Sequence, residues 1–211
     1  MLVPWRNVLL ARSSQRIGSS GRLREVNVHA ELVRRARDGD HAAFESLVRP
    51  EIERLYGLAG LLLADRARAE DAVQEALLRA WRDLPKLREV DKFAAWIRRL
   101  VVNAAHDEGR RLGRRRSEVE LNPHHDRATL DDIGALLDRD ELSRAFRRLK
   151  EEERTVLALR YFLDLSTSEA AVTLGIRDVT YRSKLHRAIK TLGAALAADA
   201  RVTASSEGRL T

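Results

Sequence analysis

Apolar residues recur along this chain at three- and four-residue spacing, the mark of amphipathic helices rather than strands. Over Glu70 to Leu84, Val73, Ala76, Leu77, Ala80, Trp81 and Leu84 fall at i, i+3, i+4, i+7, i+8 and i+11. That stripe predicts a helix with Trp81 in the core, ended by Pro85. Upstream, Ala30 to Val48 reads as two helices broken at Asp38-Gly39-Asp40, where Gly39 ends the first and Asp40 caps the second. Pro50 precedes a helix carrying Ile52, Leu55, Leu58 and Leu62. A helix over about Lys92 to Arg111 buries Phe93, Ile97, Leu100, Val101 and Ala104. Its adjacent face carries Trp96, Arg99, Asn103, His106 and Arg110, suited to stacking on bases and bonding their edges, or else to partial burial of Trp96.

The pattern resumes near residue 141. Leu142, Ala145, Phe146 and Leu149 mark one helix, and Val156, Leu157, Leu159, Arg160 and Leu163 a second. Ser166 with Glu169 three residues on is a capping box opening a short helix, and Gly175 supplies a tight turn. A helix from about Asp178 places Leu185, Ile189, Leu192 and Leu196 on one side, with Arg182, Ser183, His186, Arg187 and Lys190 on the other. Capped helix, glycine turn and basic helix make a helix-turn-helix, whose second helix enters the major groove N-terminus first. The fold class is therefore all-α: two small helical domains joined by a flexible acidic linker, the second domain containing the helix-turn-helix.

Composition narrows the chemistry. Among 211 residues there is no cysteine, which excludes disulfides, thiolate metal sites and cysteine nucleophiles. No apolar run approaches the roughly 18 residues of a membrane helix; Leu58 to Ala64 is the longest candidate and reads as core. The net charge of +7 favours a polyanionic partner. Basic residues concentrate in 1–27, in Arg110, Arg111, Arg114, Arg115 and Arg116, and in the last third; Glu118 to Glu141 is acidic. Met1 to Leu10 is interrupted by Trp5 and Arg6 and too short for a signal sequence.

Together these residues resemble an extracytoplasmic-function sigma factor, the small two-domain class of bacterial transcription initiation factors. Ala69-Glu70-Asp71-Ala72-Val73-Gln74-Glu75-Ala76-Leu77-Leu78-Arg79-Ala80-Trp81 is similar to that family's core-binding helix. Phe93-Ala94-Ala95-Trp96-Ile97 and Asn103 to Arg111 resemble its promoter-melting helix. Leu159-Arg160-Tyr161-Phe162, Leu165-Ser166, Glu169-Ala170-Ala171, Leu174-Gly175-Ile176, Thr180 and Ser183-Lys184-Leu185-His186-Arg187-Ala188 resemble its C-terminal helix-turn-helix. The resemblance implies a core-binding and minus-ten domain over 29–113, a linker over 114–140 and a minus-thirty-five domain over 141–198. The basic stretch 1–28, which has no counterpart in the family, reads as disordered from its lack of periodicity, and the polar tail 199–211 reads as disordered too.

The implied roles follow. Asp71, Gln74, Glu75 and Leu78 would dock on bacterial core RNA polymerase. Lys86, Arg88, Trp96, Arg99, Asn103, Asp107, Arg110 and Arg111 would read and melt the minus-ten element of promoter DNA. Arg177, Thr180, Arg182, Ser183, His186 and Arg187 would read the minus-thirty-five element. The resemblance implies no catalytic residue, metal or cofactor, no membrane insertion, a cytoplasmic place of action, and an anti-sigma factor as a further partner. The chain ends too soon after Lys190 for the C-terminal regulatory domain of some relatives.

Four positions depart from the family pattern. Ala95 precedes Trp96 where primary sigma factors carry a tryptophan pair, implying weaker melting and stricter promoter choice. Arg177 stands where a serine cap is frequent, leaving Asp178 to cap; Val179 stands where glycine is common; Ala170 replaces a larger apolar residue and would loosen the helix-turn-helix core. The competing reading is a helix-turn-helix regulator that does not bind polymerase, which leaves the Asp71 to Trp81 face unexplained. An enzyme would have to use His106-Asp107 or His124-His125-Asp126, and neither cluster has further ligands at useful spacing.

Overall fold

The computed structural model describes residues 19–118 and 140–207, all of it helix and connecting turns. In chain order the helices are α1 (Ser19–Arg37), α2 (His41–Val48), α3 (Ile52–Leu63), α4 (Arg66–Asp83), α5 (Phe93–Glu118), α6 (Asp140–Arg148), α7 (Glu151–Leu157), α8 (Thr167–Leu174) and α9 (Asp178–Glu207). The expectations for 1–18, for most of the linker, including His124-His125-Asp126, and for 208–211 lie outside the described residues.

The breaks fall where the local chemistry puts them. Gly39 takes φ +93°, and the Asp40 carboxylate accepts from the Ala43 amide at 3.0 Å, so one turn ends α1 and caps α2. Asp65 caps α4 the same way, accepting from Arg68 N–H at 3.1 Å. The Ser166 hydroxyl accepts from the Glu169 amide at 3.3 Å, and the Glu169 carboxylate accepts from the Ser166 amide at 2.8 Å. These reciprocal bonds are the capping box expected for α8, which then ends on Gly175 at φ +65°.

Helices α1 to α5 pack around Val33, Leu55, Leu58, Leu62, Val73, Phe93, Ile97 and Val101, all but closed to water. Each such side chain contributes about 1.5–3 kcal/mol on full burial. Trp81 is only half-buried, stacked on His41 at 4.3 Å and edge-on to Phe44 at 5.2 Å. Ala76 and Ala80 of the same stripe are fully buried. Arg98 on α5 clasps Glu51 at the start of α3 in a bidentate pair at 2.8–3.0 Å. With 12% and 15% of these side chains exposed, removing either one leaves a charge with little water.

Helices α6 to α9 form the second cluster. The last turn of α7 widens over Ala158–Phe162, where Leu163 N–H donates to the Ala158 carbonyl at 3.1 Å, an i+5 spacing. Tyr181 is fully buried and its hydroxyl donates to the Val156 carbonyl at 2.8 Å. Burial holds that phenol well above its ordinary pKa. This bond sets the inward side of α9. The inward line is Tyr181 and Ala188, fully buried, with Leu185 and Leu192 half-buried beside them, so Ile189 is turned out instead of in. Ala170 is fully buried, so the small residue leaves the helix-turn-helix closed.

Three boundaries differ from expectation. Helix α1 begins at Ser19 rather than near residue 29, with Val26, Ala30 and Val33 keeping helical spacing. Helix α5 continues to Glu118, past the expected end of its domain. Helix α9 continues to Glu207 through Ala194, Ala195, Ala197, Ala198 and Ala200, a run of strong helix formers with no breaker before Gly208.

The clusters also touch each other. His106 Nε2 on α5 lies 2.9 Å from Thr155 Oγ1 on α7, and its Nδ1 lies 3.2 Å from Glu151 Oε1. The Phe162 ring lies so close over Gly57 of α3 that a methyl there would overlap it. A Cβ on Gly175 would come within 2.6 Å of the Arg99 guanidinium.

Candidate polymerase and nucleic-acid interfaces

The core-facing stripe of α4 leaves its other side to solvent. Asp71, Gln74, Glu75, Leu78 and Arg82 are all exposed there, at i, i+3, i+4, i+7 and i+11. Leu78 is 67% exposed, with nothing of its own fold covering it. Glu75 accepts from Arg79 Nε at 2.7 Å, while Gln74 makes no hydrogen bond among the described residues.

A second surface begins where α4 ends. The turn Leu84–Lys86 and residue Leu87 are pinned from below, for Leu84 and Leu87 are buried and Arg37 donates to both their carbonyls. Lys86 and Arg88 between and beyond them point outward; Lys86 pairs with Asp83 at 2.7 Å. Arg37 sits 47 residues or more from the carbonyls it holds, and nothing in the sequence marks it.

The α5 residues share a side but are not equally free. Trp96 is half-buried, tilted against Phe93 at 6.0 Å. Arg99 is exposed but lies against Gly175. Asn103 is exposed with no partner among the described residues. Asp107 accepts from Arg79 at 3.3 Å and from Arg110 at 2.5 Å, tying α5 to α4. Partial burial pushes its carboxyl up, but the two guanidinium bonds outweigh that and hold it below the ordinary value. Arg111 pairs with Glu108 at 3.6 Å. His106, expected on the face suited to bases, is half-buried and turned instead to Thr155 and Glu151 of α7. Burial pushes its imidazole down against the pull of the Glu151 carboxylate.

Arg177, just before α9, and Arg182, Ser183, His186 and Arg187 on it are exposed and Thr180 half-exposed, all on or beside the outward face. Asp178 does not cap the helix. The Arg177 carbonyl already accepts the first helical bond from Tyr181 N–H at 3.0 Å, which puts Asp178 at the first helical position. The Asp178 carboxylate reaches Arg182 at 2.6 Å instead. Among the described residues no group of three or more His, Cys, Asp or Glu side chains could hold a metal, and no helix is long and apolar enough to cross a membrane.

The model for sigma-70 region 2 matches residues 47–115, and that for sigma-70 region 4 matches residues 139–192. The ECF RNA polymerase sigma factor SigL of Mycobacterium tuberculosis is 36% identical across 65% of this chain and 80% of that protein. The chain belongs to the ECF sigma factors. The RNA polymerase sigma-H factor of Pseudomonas aeruginosa is 30% identical across 79% of this chain and 92% of that protein. The fold is also similar to that of CnrH, solved in complex with the cytosolic domain of CnrY, with a TM-score of 0.62 and 24% identity over 82% of this chain and 99% of that one. As a sigma factor the chain binds core RNA polymerase and directs it to promoters; it is not an enzyme. Both matched regions contain the surfaces just described: the α4 and α5 faces fall in the first and the helix-turn-helix in the second.

Proposed function

We propose that Asp71, Gln74, Glu75 and Leu78 dock this sigma factor on core RNA polymerase. Lys86, Arg88, Trp96, Arg99, Asn103, Asp107, Arg110 and Arg111 read and melt the minus-ten element, and Arg177, Thr180, Arg182, Ser183, His186 and Arg187 read the minus-thirty-five element. The working units are residues 29–113 and 141–198, joined through 114–140, and the protein acts in the cytoplasm. The observation that carries the docking face is Leu78: a leucine 67% exposed amid acceptors, on the side of α4 turned from its own core. A buried apolar contact ringed by polar groups is what a specific interface needs.

Within the second group the roles divide. Trp96 and Asn103 offer a ring face and an amide to a separated strand, where extruding a base costs a few kcal/mol of stacking. Arg88, Arg110 and Arg111 neutralise phosphates, which makes binding steeply salt-dependent. Asp107, an acceptor bonded twice, takes part in that reading by aiming Arg110 and Arg79. Arg99 lies against Gly175, and His106 is bonded to α7. Promoter melting therefore requires the two helical clusters to part. Relatives of the same fold were solved with CnrY's cytosolic domain and with the anti-sigma factor NepR, and an anti-sigma factor that holds the clusters together is a partner of this chain too.

The test is affinity for bacterial core RNA polymerase, wild type against a Gln74→Ala/Leu78→Asp double variant. Tight binding by the wild type, weakened about 100-fold or more in a variant that keeps its helical circular dichroism, supports the docking face. Equal binding by both removes it.

A further inference from the structure

The outward stripe of α9 has an apolar residue at its head. From Val179 the same side continues through Arg182, Ser183, His186 and Lys190, at i+3, i+4, i+7 and i+11. Val179 is 73% exposed, more than any other large apolar residue described. It lies opposite Tyr181, which is fully buried, so no rotation of the side chain brings it into the core. A β-branched residue at an exposed helix position is also a weak helix former, so it does nothing for α9 itself. It does supply rigidity. In a helix valine keeps essentially one rotamer, which makes a fixed apolar knob in the first turn.

Its polar neighbours are already oriented. The Ser183 hydroxyl donates to the Val179 carbonyl at 3.0 Å, so toward a ligand it offers acceptor lone pairs. Arg182 is braced against Asp178 at 2.6 Å. In the major groove the donors and acceptors of base edges can be met by such groups, but one feature cannot: the C5 methyl of thymine, the apolar feature of that groove. The first turn of a recognition helix is the part that reaches base edges. We propose that Val179 is a specificity-determining residue that packs on the C5 methyl of one thymine in the upstream promoter element. The assignment rests on the reading of α9 as the minus-thirty-five helix, and it adds which base the head of that helix selects.

The test uses holoenzyme assembled from the full chain and core RNA polymerase. An upstream element is enriched from a duplex pool randomised in that region. Each thymine in it is then replaced singly by deoxyuracil, which removes the methyl and leaves every hydrogen-bonding group. Burial of one methyl predicts a loss of about three- to fivefold in affinity at one position. Val179→Ala, at an exposed site where alanine is the better helix former, loses the same factor on the thymine duplex and becomes indifferent to uracil. Val179→Ile keeps the discrimination. An enriched element without thymine, a wild type indifferent to uracil at every position, or a Val179→Ala variant as sensitive as the wild type overturns the assignment alone. Enrichment of no upstream sequence at all removes the reading of α9, and this assignment with it.

Discussion

The two faces proposed to meet nucleic acid in this sigma factor differ in what already holds them. On α5, three polar groups on or beside that face are engaged with other elements: Arg99 against Gly175, His106 with Thr155 and Glu151, Asp107 with Arg79. On α9 the contacts of the outward face stay within a turn, as with Arg182 on Asp178 and Arg187 Nε on the Ser183 carbonyl at 3.3 Å. The difference teaches that exposure alone does not make a face ready. The α9 surface can meet duplex DNA as it stands. The α5 surface must first exchange long-range contacts, which suits a face that is to act on a strand separated only inside the polymerase.

The contrast can be broken from the α5 side. Phe162→Ala removes the ring fitted over Gly57 and should cost about 2–3 kcal/mol of contact between the clusters. Small-angle scattering should then report a larger radius of gyration at unchanged helical content. Gly175→Ala combines a left-handed backbone with displacement of Arg99 and should destabilise by about 1–2 kcal/mol in urea titration. Thr155→Val leaves His106 Nε2 without its partner, and a loss of about 1 kcal/mol should appear in the same titration. From the α9 side, Arg182→Ala removes an exposed i+4 pair and should shift stability by less than about 0.5 kcal/mol. Yet it should weaken upstream-element binding by the holoenzyme about tenfold and lower the salt slope by about one. Smallest is the effect of acid on Asp107. Its carboxyl titrates below the ordinary value when folded, so its contribution is complete above that value and is lost as pH falls through the lowered one. An Asp107→Asn variant should flatten that part of the pH profile.

How much of this was legible follows the range of the interactions. Caps, breaks and stripes depend on residues three or four apart, so Asp40, Asp65, the Ser166–Glu169 box and the α4 stripe can be read or checked within one turn. The exposed Leu78 follows from the same periodicity. What spacing could not show depends on distant partners. Tyr181 displaces Ile189 from the inward side because its hydroxyl finds a carbonyl 25 residues away. His106 meets Thr155 across 49 residues, and Arg98 meets Glu51 across 47. A histidine on a half-polar face carries no local mark of such a partner. The extension of α9 to Glu207 was legible in its alanines but masked by the polar residues between them.

The most direct measurement is the distance between the clusters. The chain has no cysteine, so Glu45→Cys on α2 and Lys190→Cys on α9, both at exposed positions, can carry spin labels without competing sites. Distances would be taken in the free protein and in holoenzyme bound to a melted promoter. The account predicts one narrow, short distribution in the free chain and a longer one in the complex, with Phe162→Ala moving the free chain toward the longer value. The same distribution in both states would contradict the claim that the α5 face is released before it acts.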